Sequence, residues 1–183
     1  EANVTFVPSA VRAVEGATVV AADGGRHTGD TIVLCTGFEF GVGPVADIVR
    51  GRDGLTLAEV WKGSPRAFLG THPSGFPNLT MIAGPNGGTV SGFIGAEAHC
   101  NYLGEMVRAM RRAGVRTVEA RPEAEAAFKR KADALMADSV HNAGGCLSYY
   151  LDENGCNKAL WPGSMLSMWR RLQRFDLGDY ETR

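Results

Sequence analysis

Hydrophobic and polar positions change period several times along the chain. Asn3–Val7 alternates and reads as a strand. Val11–Val14, the Glu15-Gly16 turn and Ala17–Ala21 predict strand, tight turn, strand. Asp23-Gly24-Gly25 predicts the next turn and Arg26–Thr28 a return, so this stretch forms a small antiparallel meander. Thr31–Cys35 is a continuous apolar run that stops at Thr36-Gly37-Phe38, and such runs mark strands buried on both faces in parallel sheets. Leu79–Ala83 reads the same way and breaks into Gly84-Pro85-Asn86-Gly87-Gly88. Between them the pattern predicts a short helix over Leu55–Lys62 and a short strand at Ala67–Leu69. Ser91–Ala113 switches to helical spacing, with Ile94, His99, Leu103, Met106, Val107 and Met110 on one stripe, Ser91 as N-cap and Gly114 as the stop. Val115–Ala120 is extended, and Pro122–Ala137 is a second helix opened by proline and acids. Residues 145–162 predict a hairpin turning at Asp152–Gly155, followed by a helix over Met165–Gln173 and an acidic-aromatic tail.

Two apolar strands ending in glycine, one of them followed by a long helix, indicate α/β layering. Ligands in such folds bind beyond the carboxyl ends of the strands, where Thr36-Gly37 and Gly84-Pro85-Asn86 are expected. A helix opening near Ser91 presents free N–H groups and a positive dipole end, which attract a phosphate or the electron-rich edge of a reduced flavin. Strand-glycine-helix junctions also arise in α/β folds that bind nothing there. No G-x-G-x-x-G and no Walker A motif occurs, so a dinucleotide's pyrophosphate needs a segment outside this sequence.

Composition narrows the classes. The apolar share of 44% and the charged share of 21% suit a globular protein, and a net charge of −1 gives no global attraction to nucleic acid or an anionic membrane. No apolar span reaches transmembrane length. Cys35, Cys100, Cys146 and Cys156 form no C-x-x-C pair, which argues against structural zinc and for a reducing cytoplasm. Cys146 and Cys156 fall on opposite arms of the predicted hairpin. The sequence opens at Glu1 directly into a predicted strand, which leads us to expect part of a longer polypeptide.

Three segments carry a family resemblance. Asp30-Thr31-Ile32-Val33-Leu34-Cys35-Thr36-Gly37-Phe38 resembles the D-x-hydrophobic-A-T-G-F segment of class B flavoprotein monooxygenases, which related flavin reductases share. Gly75–Asn86 is similar to their G-F-P-N-L-F-M-x-x-G-P-N segment. Cys146-Leu147-Ser148-Tyr149-Tyr150, Gly155 and Trp161-Pro162-Gly163-Ser164 resemble the end of many Baeyer–Villiger monooxygenases. The chain departs from the pattern at Cys35 (usually Ala), at the flexible Gly87-Gly88 pair and at Cys156 (often Arg). The family's two G-x-G-x-x-G motifs, its F-x-G-x-x-x-H-x-x-x-W-P fingerprint and its active-site arginine precede such segments and are absent from this sequence.

The resemblance implies an α/β fold forming the C-terminal part of a flavoprotein with two dinucleotide-binding domains. Residues 1–70 would end the NADP-binding domain with the meander and return strand. Residues 71–183 would form the C-terminal part of the FAD-binding domain with a substrate-side hairpin and helix. It implies FAD, NADPH and O₂, with one oxygen atom inserted into a small-molecule ketone or transferred to a heteroatom. Thr36, Gly37 and Phe38 would border the flavin and nicotinamide. Gly84, Pro85, Asn86, Gly87 and Gly88 would abut the isoalloxazine, and Tyr149 and Trp161 the substrate side.

The residues keep plainer readings beside these. Trp161 suits a core packer, and His99 a satisfied core histidine. Tyr149 and Tyr150, as neighbours on a strand, point to opposite faces, so at most one of them faces a pocket. His72 and His141 sit in loops with no partner carboxylate nearby in sequence, and no nucleophile is identifiable. Two other readings stay open: another flavin-dependent oxidoreductase, of disulfide reductase or N-hydroxylase type, and a non-catalytic interaction module. The chain alone is expected to lack turnover, to bind FAD weakly if at all, and to self-associate through apolar faces and unpaired edges.

Overall fold

A computed structural model describes residues 3–35, 43–143 and 148–183. The chain divides into two compact units, Glu1–Phe38 and Glu39–Arg183. The first is the expected meander: β1 (Val11–Glu15), β2 (Thr18–Ala21) and β3 (Arg26–Thr28) pair antiparallel in that order. Gly16 turns β1 into β2 at φ +59°, and Val20 and Ala21 are buried. The cross-sheet Arg26–Glu15 pair is exposed on both sides, so it adds only about 0–1 kcal/mol.

Two strand expectations fail in this unit. Asn3–Val7 forms no strand, and neither does Thr31–Cys35, whose Val33 and Leu34 are 77% and 78% exposed. An apolar run becomes a buried strand only where neighbours complete its ladder on both edges. No strand among the described residues pairs with 31–35.

The second unit holds α1 (Val45–Ile48), α2 (Leu57–Trp61), α3 (Gly92–Ala113), β4 (Val118–Ala120), α4 (Pro122–Met136), α5 (Val140–Ala143), α6 (Met165–Arg171), a 3₁₀ turn at Leu177–Asp179 and β5 (Tyr180–Thr182). α2 starts at a capping box in which Thr56 and Glu59 satisfy each other's backbone N–H groups, worth about 1 kcal/mol. α3 stops at Gly114 with φ +67°. Its buried face is Gly95, Ala98, His99, Tyr102, Met106 and Ala109. Of the expected stripe, His99 and Met106 are buried and Leu103 and Met110 pack against the core, whereas Ile94 and Val107 at its margin are each 39% exposed. The main core gathers Phe68, Leu69, Tyr102, Met106, Trp161, Met168, Leu172 and Tyr180. Each large apolar side chain there contributes about 1.5–3 kcal/mol. The Tyr102 and Tyr180 hydroxyls meet at 2.9 Å inside it.

Every regular strand among the described residues pairs antiparallel. The tail's β5 pairs β4, an arrangement its polar sequence did not announce. Leu79–Ala83 is not a strand, because the segment around it is committed elsewhere. Asn78, at φ +59°, donates its backbone N–H to Val118 O, accepts Val118 N–H on its side-chain Oδ1 and gives its side-chain N–H to Arg116 O. Met81 N–H donates to Thr71 O, and Ala83 turns at φ +52°. Ala67–Leu69 likewise forms a buried turn, with one bridge from Phe68 to His72.

Two buried carboxylates fix the turn that precedes Asn78. Glu119 accepts from Gly75 N–H at 3.0 Å and from Arg52 at 3.2 Å. Glu125 accepts from Ser74 N–H at 3.2 Å, with the Arg66 guanidinium 3.6 Å away. Burial pushes the Glu125 pKa up from 4.5 to about 7, against the pull of Ser74 N–H and Arg66.

Folding therefore makes Glu125 take up a proton between those two values. Its contribution to stability is fully present below about 4.5 and is lost as pH rises through about 7. His72, lowered by burial to about 4, acts the other way: its contribution is present above its ordinary 6.5 and lost as pH falls. Glu125→Gln removes the first effect and leaves the second. Stability between about pH 5 and 7 should then climb more steeply with pH, by up to about 1.4 kcal/mol per unit. Urea midpoints across that range measure it, and an unchanged slope refutes the assignment.

Candidate functional site

The loop from Ala83 to Gly88 is bound on its inner side by the chain's own backbone. Asn86, at φ +56° and buried, donates its side-chain N–H groups to Asn157 O at 2.8 Å and Leu160 O at 3.3 Å. Its backbone N–H goes to Lys158 O at 3.1 Å. Gly88 N–H donates to Ala159 O and Trp161 N–H to Gly88 O, each at 2.8 Å. Gly84 N–H reaches Gly70 O at 3.0 Å. The glycines follow from this packing. A Cβ on Gly70 would lie 2.5 Å from the Cα of Gly87, one on Gly84 2.8 Å from Gly70 O, and one on Gly88 2.9 Å from Ala159 O.

The predicted residues of this loop divide between two cavities. Gly84 and Pro85 border an apolar one of about 150 Å³, with Trp61, Met81 and Lys158. Gly87 and Gly88 border another of about 300 Å³, whose other walls include Gly92, Gly95, Tyr149 and Tyr150. That volume lies at the lower end of small-molecule sites. The first turn of α3 forms one wall, and Ser91, though at the N-cap, places no side-chain bond over its free N–H groups. A Cβ on Gly92 would meet open space. Val90 and Phe93 beside it are 97% and 92% exposed. Asn86 contributes no wall, its amide being spent on residues 157–160.

Tyr149 and Tyr150 correct the strand reading. They sit in a turn, not a strand, so both side chains reach the same cavity. Their rings lie 4.2 Å apart and Tyr149 donates to the Tyr150 hydroxyl at 2.8 Å, which raises the Tyr149 pKa. The His141 ring meets Tyr150 edge-on at 5.0 Å. Trp161 is buried, tilts against Phe128 at 5.5 Å and donates to Ser167 Oγ at 3.0 Å. Its edge also borders a third cavity of about 420 Å³, with Gly88, Val90, Met136, His141 and Ser164. The Asp152 turn forms as expected, Asp152 accepting from the N–H groups of Asn154 and Cys156 at 2.9 Å.

Both buried histidines add to what the sequence suggested. His72 lies outside helix and regular strand, as expected, but is buried, and its ring nitrogens meet Thr71 Oγ1 at 2.7 Å, Thr80 Oγ1 at 3.0 Å and the Tyr180 hydroxyl at 3.1 Å. Its flanking threonines, Thr71 and Thr80, were the available sequence signal. His99 is only half satisfied: Nδ1 accepts from Ala83 N–H at 3.3 Å, and Nε2 has no partner. Burial lowers its pKa, partly offset by the Leu69 and Gly95 carbonyls. Thr36, Gly37, Phe38 and Cys146 lie outside the described residues. Among the described residues no group of His, Cys, Asp and Glu could hold a metal ion, and no helix is long and apolar enough to cross a membrane.

Among the described residues, the cavity at Gly87–Gly95 thus combines a glycine wall, an uncapped helix start and two paired phenols, with no carboxylate, lysine or cysteine in its lining. Free N–H groups beside a wall without side chains are chemically suited to an electron-rich ring edge such as that of a flavin.

No family model matches the chain. A Baeyer–Villiger monooxygenase of Streptomyces coelicolor is 40% identical over 182 residues, covering 98% of this chain and 35% of the relative. A closed crystal structure of cyclohexanone monooxygenase superposes with a TM-score of 0.73 at 26% identity, over 94% of this chain and 34% of that one. OTEMO, solved in complex with FAD and NADP, shares the fold at a TM-score of 0.74 and 20% identity, over 96% and 33%. The chain spans about a third of the length of these relatives. Along nearly all of its own length, the chain is homologous to the Baeyer–Villiger monooxygenases.

Proposed function

We propose that the chain is the flavin- and substrate-side part of an FAD- and NADPH-dependent monooxygenase that inserts one atom of O₂ into a ketone, or oxidises a heteroatom. The observation that carries this reading is the cavity between the Gly87-Gly88 backbone and the uncapped start of α3, taken with 40% identity to a Baeyer–Villiger monooxygenase. When bound, reduced flavin supplies the electrons and activates the oxygen. The chain's own residues place and shelter it. Gly87, Gly88 and the first N–H groups of α3 face the ring edge, where the helix dipole favours negative charge. Gly84, Pro85 and Asn86 shape the loop from behind.

Thr36, Gly37 and Phe38 border the nicotinamide passage in this reading. Tyr149 and Trp161 wall the substrate side. Residues 1–70 complete an NADP-binding domain and 71–183 an FAD-binding domain. Cysteine usage suits the cytoplasm. By itself the chain turns nothing over, holds FAD weakly and self-associates through exposed apolar residues such as Val33, Leu34, Val90 and Phe93.

A chimera tests the reading. The chain replaces the matched third of the Streptomyces coelicolor relative. The expected product is a yellow protein that consumes NADPH and converts a cyclic ketone to its lactone. A well-folded chimera without flavin overturns the proposal. Two substitutions then separate packing from binding. Gly70→Ala, at φ +70° and facing Gly87, should cost about 2–4 kcal/mol of stability in thermal melts. Gly92→Ala meets open space, should change stability by no more than about 1 kcal/mol, and should weaken flavin capture by the chimera about tenfold. Unchanged flavin affinity in Gly92→Ala moves the ring away from this cavity.

A further inference from the structure

The left-handed backbone of Ala83 needs a support. At φ +52° this non-glycine residue holds a left-handed conformation that L-residues rarely adopt. Its N–H is directed at His99 Nδ1, 3.3 Å away. An accepting Nδ1 leaves the ring proton of a neutral imidazole on Nε2. That atom is buried and closes no hydrogen bond of ordinary geometry, while the Leu69 and Gly95 carbonyls near the ring favour a ring proton. The other edge of the ring lies under the loop itself: a Cβ on Gly87 would be 3.1 Å from both Cε1 and Nε2. One ring therefore touches the residue that enters the loop and a glycine within it. It is carried by α3, about two turns beyond Gly92.

We infer that His99 is a positioning residue: its neutral, Nε2-protonated imidazole sets the spacing between the Gly84–Gly88 loop and the first turn of α3, and with it the width of the cavity between them. His99 is not in the cavity lining and does not touch what the cavity holds. The inference rests on the flavin reading only for the identity of that occupant. A proton on Nδ1, in either the other tautomer or the cation, would set two donors against each other at Ala83. The groups facing the ring are Ala83 N–H, the Gly87 backbone, the Leu69 and Gly95 carbonyls and the His72 imidazole. His72 is the titratable one among them and is itself held neutral by burial.

Long-range ¹H–¹⁵N spectra of the labelled chain test the tautomer without any substitution. The resonance that disappears in His99→Asn should show an unprotonated Nδ1 and a protonated Nε2 at neutral pH. A protonated Nδ1 overturns the inference. Amide hydrogen exchange tests the support. His99→Asn keeps an acceptor at the δ position and should hold exchange over residues 79–90 within about threefold of the parent. His99→Leu keeps bulk without an acceptor and should speed it at least tenfold there, while protection of β4 and β5 stays unchanged. Parent-like protection in His99→Leu, or equal loss in both variants, overturns the inference, and if His99→Leu does not fold the tautomer decides. A chimera that lacks flavin while the tautomer and exchange results hold removes the flavin reading and leaves the positioning role standing.

Discussion

One peptide can lie against another at van der Waals distance only where no side chain intervenes, and the second unit depends on that condition at Gly70 and Gly87. A Cβ on Gly70 would lie 2.5 Å from the Gly87 Cα, so the turn at 69–71 and the loop at 84–88 keep this close approach only while Gly70 carries no side chain. The contact is reinforced on its far side by the bonds of Asn86, Gly88 and Trp161 to the 157–161 segment. Three stretches far apart in sequence thus become one rigid backbone layer. The cavity beside α3 is what remains between that layer and the helix.

The layer is anchored to the core by charge as well as by packing. Glu119 and Glu125 each capture one N–H of the Ser74-Gly75 turn and each faces an arginine. Buried carboxylates are costly unless paired and hydrogen-bonded, so these two specify the turn more than they stabilise it. Asn78 then ties the chain to β4 with both its side-chain and backbone groups. The residues between Gly75 and Gly84 are placed by these fixed points, which is why their apolar pattern does not produce a strand.

Helical spacing was the most legible signal in the sequence. α3, α4 and α6 and the three-stranded meander fall where periodicity and turn residues put them. The apolar runs at 31–35 and 79–83 were not decidable, since a run without alternation fits a buried strand or a loop packed on a core equally well. β4 and β5 are three residues each and carry Glu119 and Glu181, too short and too polar for any pattern to pair them. Glycine density located the candidate loop, but not that most of its glycines are consumed by internal contact. The joint placement of Tyr149 and Tyr150 and the half-satisfied His99 depend on tertiary neighbours that no local spacing encodes.

The parallel bridge between Gly88 and Leu160 has one more property. Gly88, Thr89 and Leu160 line both the chamber that contains the tyrosines and the one edged by Trp161. Part of one wall is therefore common to both. A substitution made at Gly88 or Leu160 to reshape one of these spaces also reshapes the other.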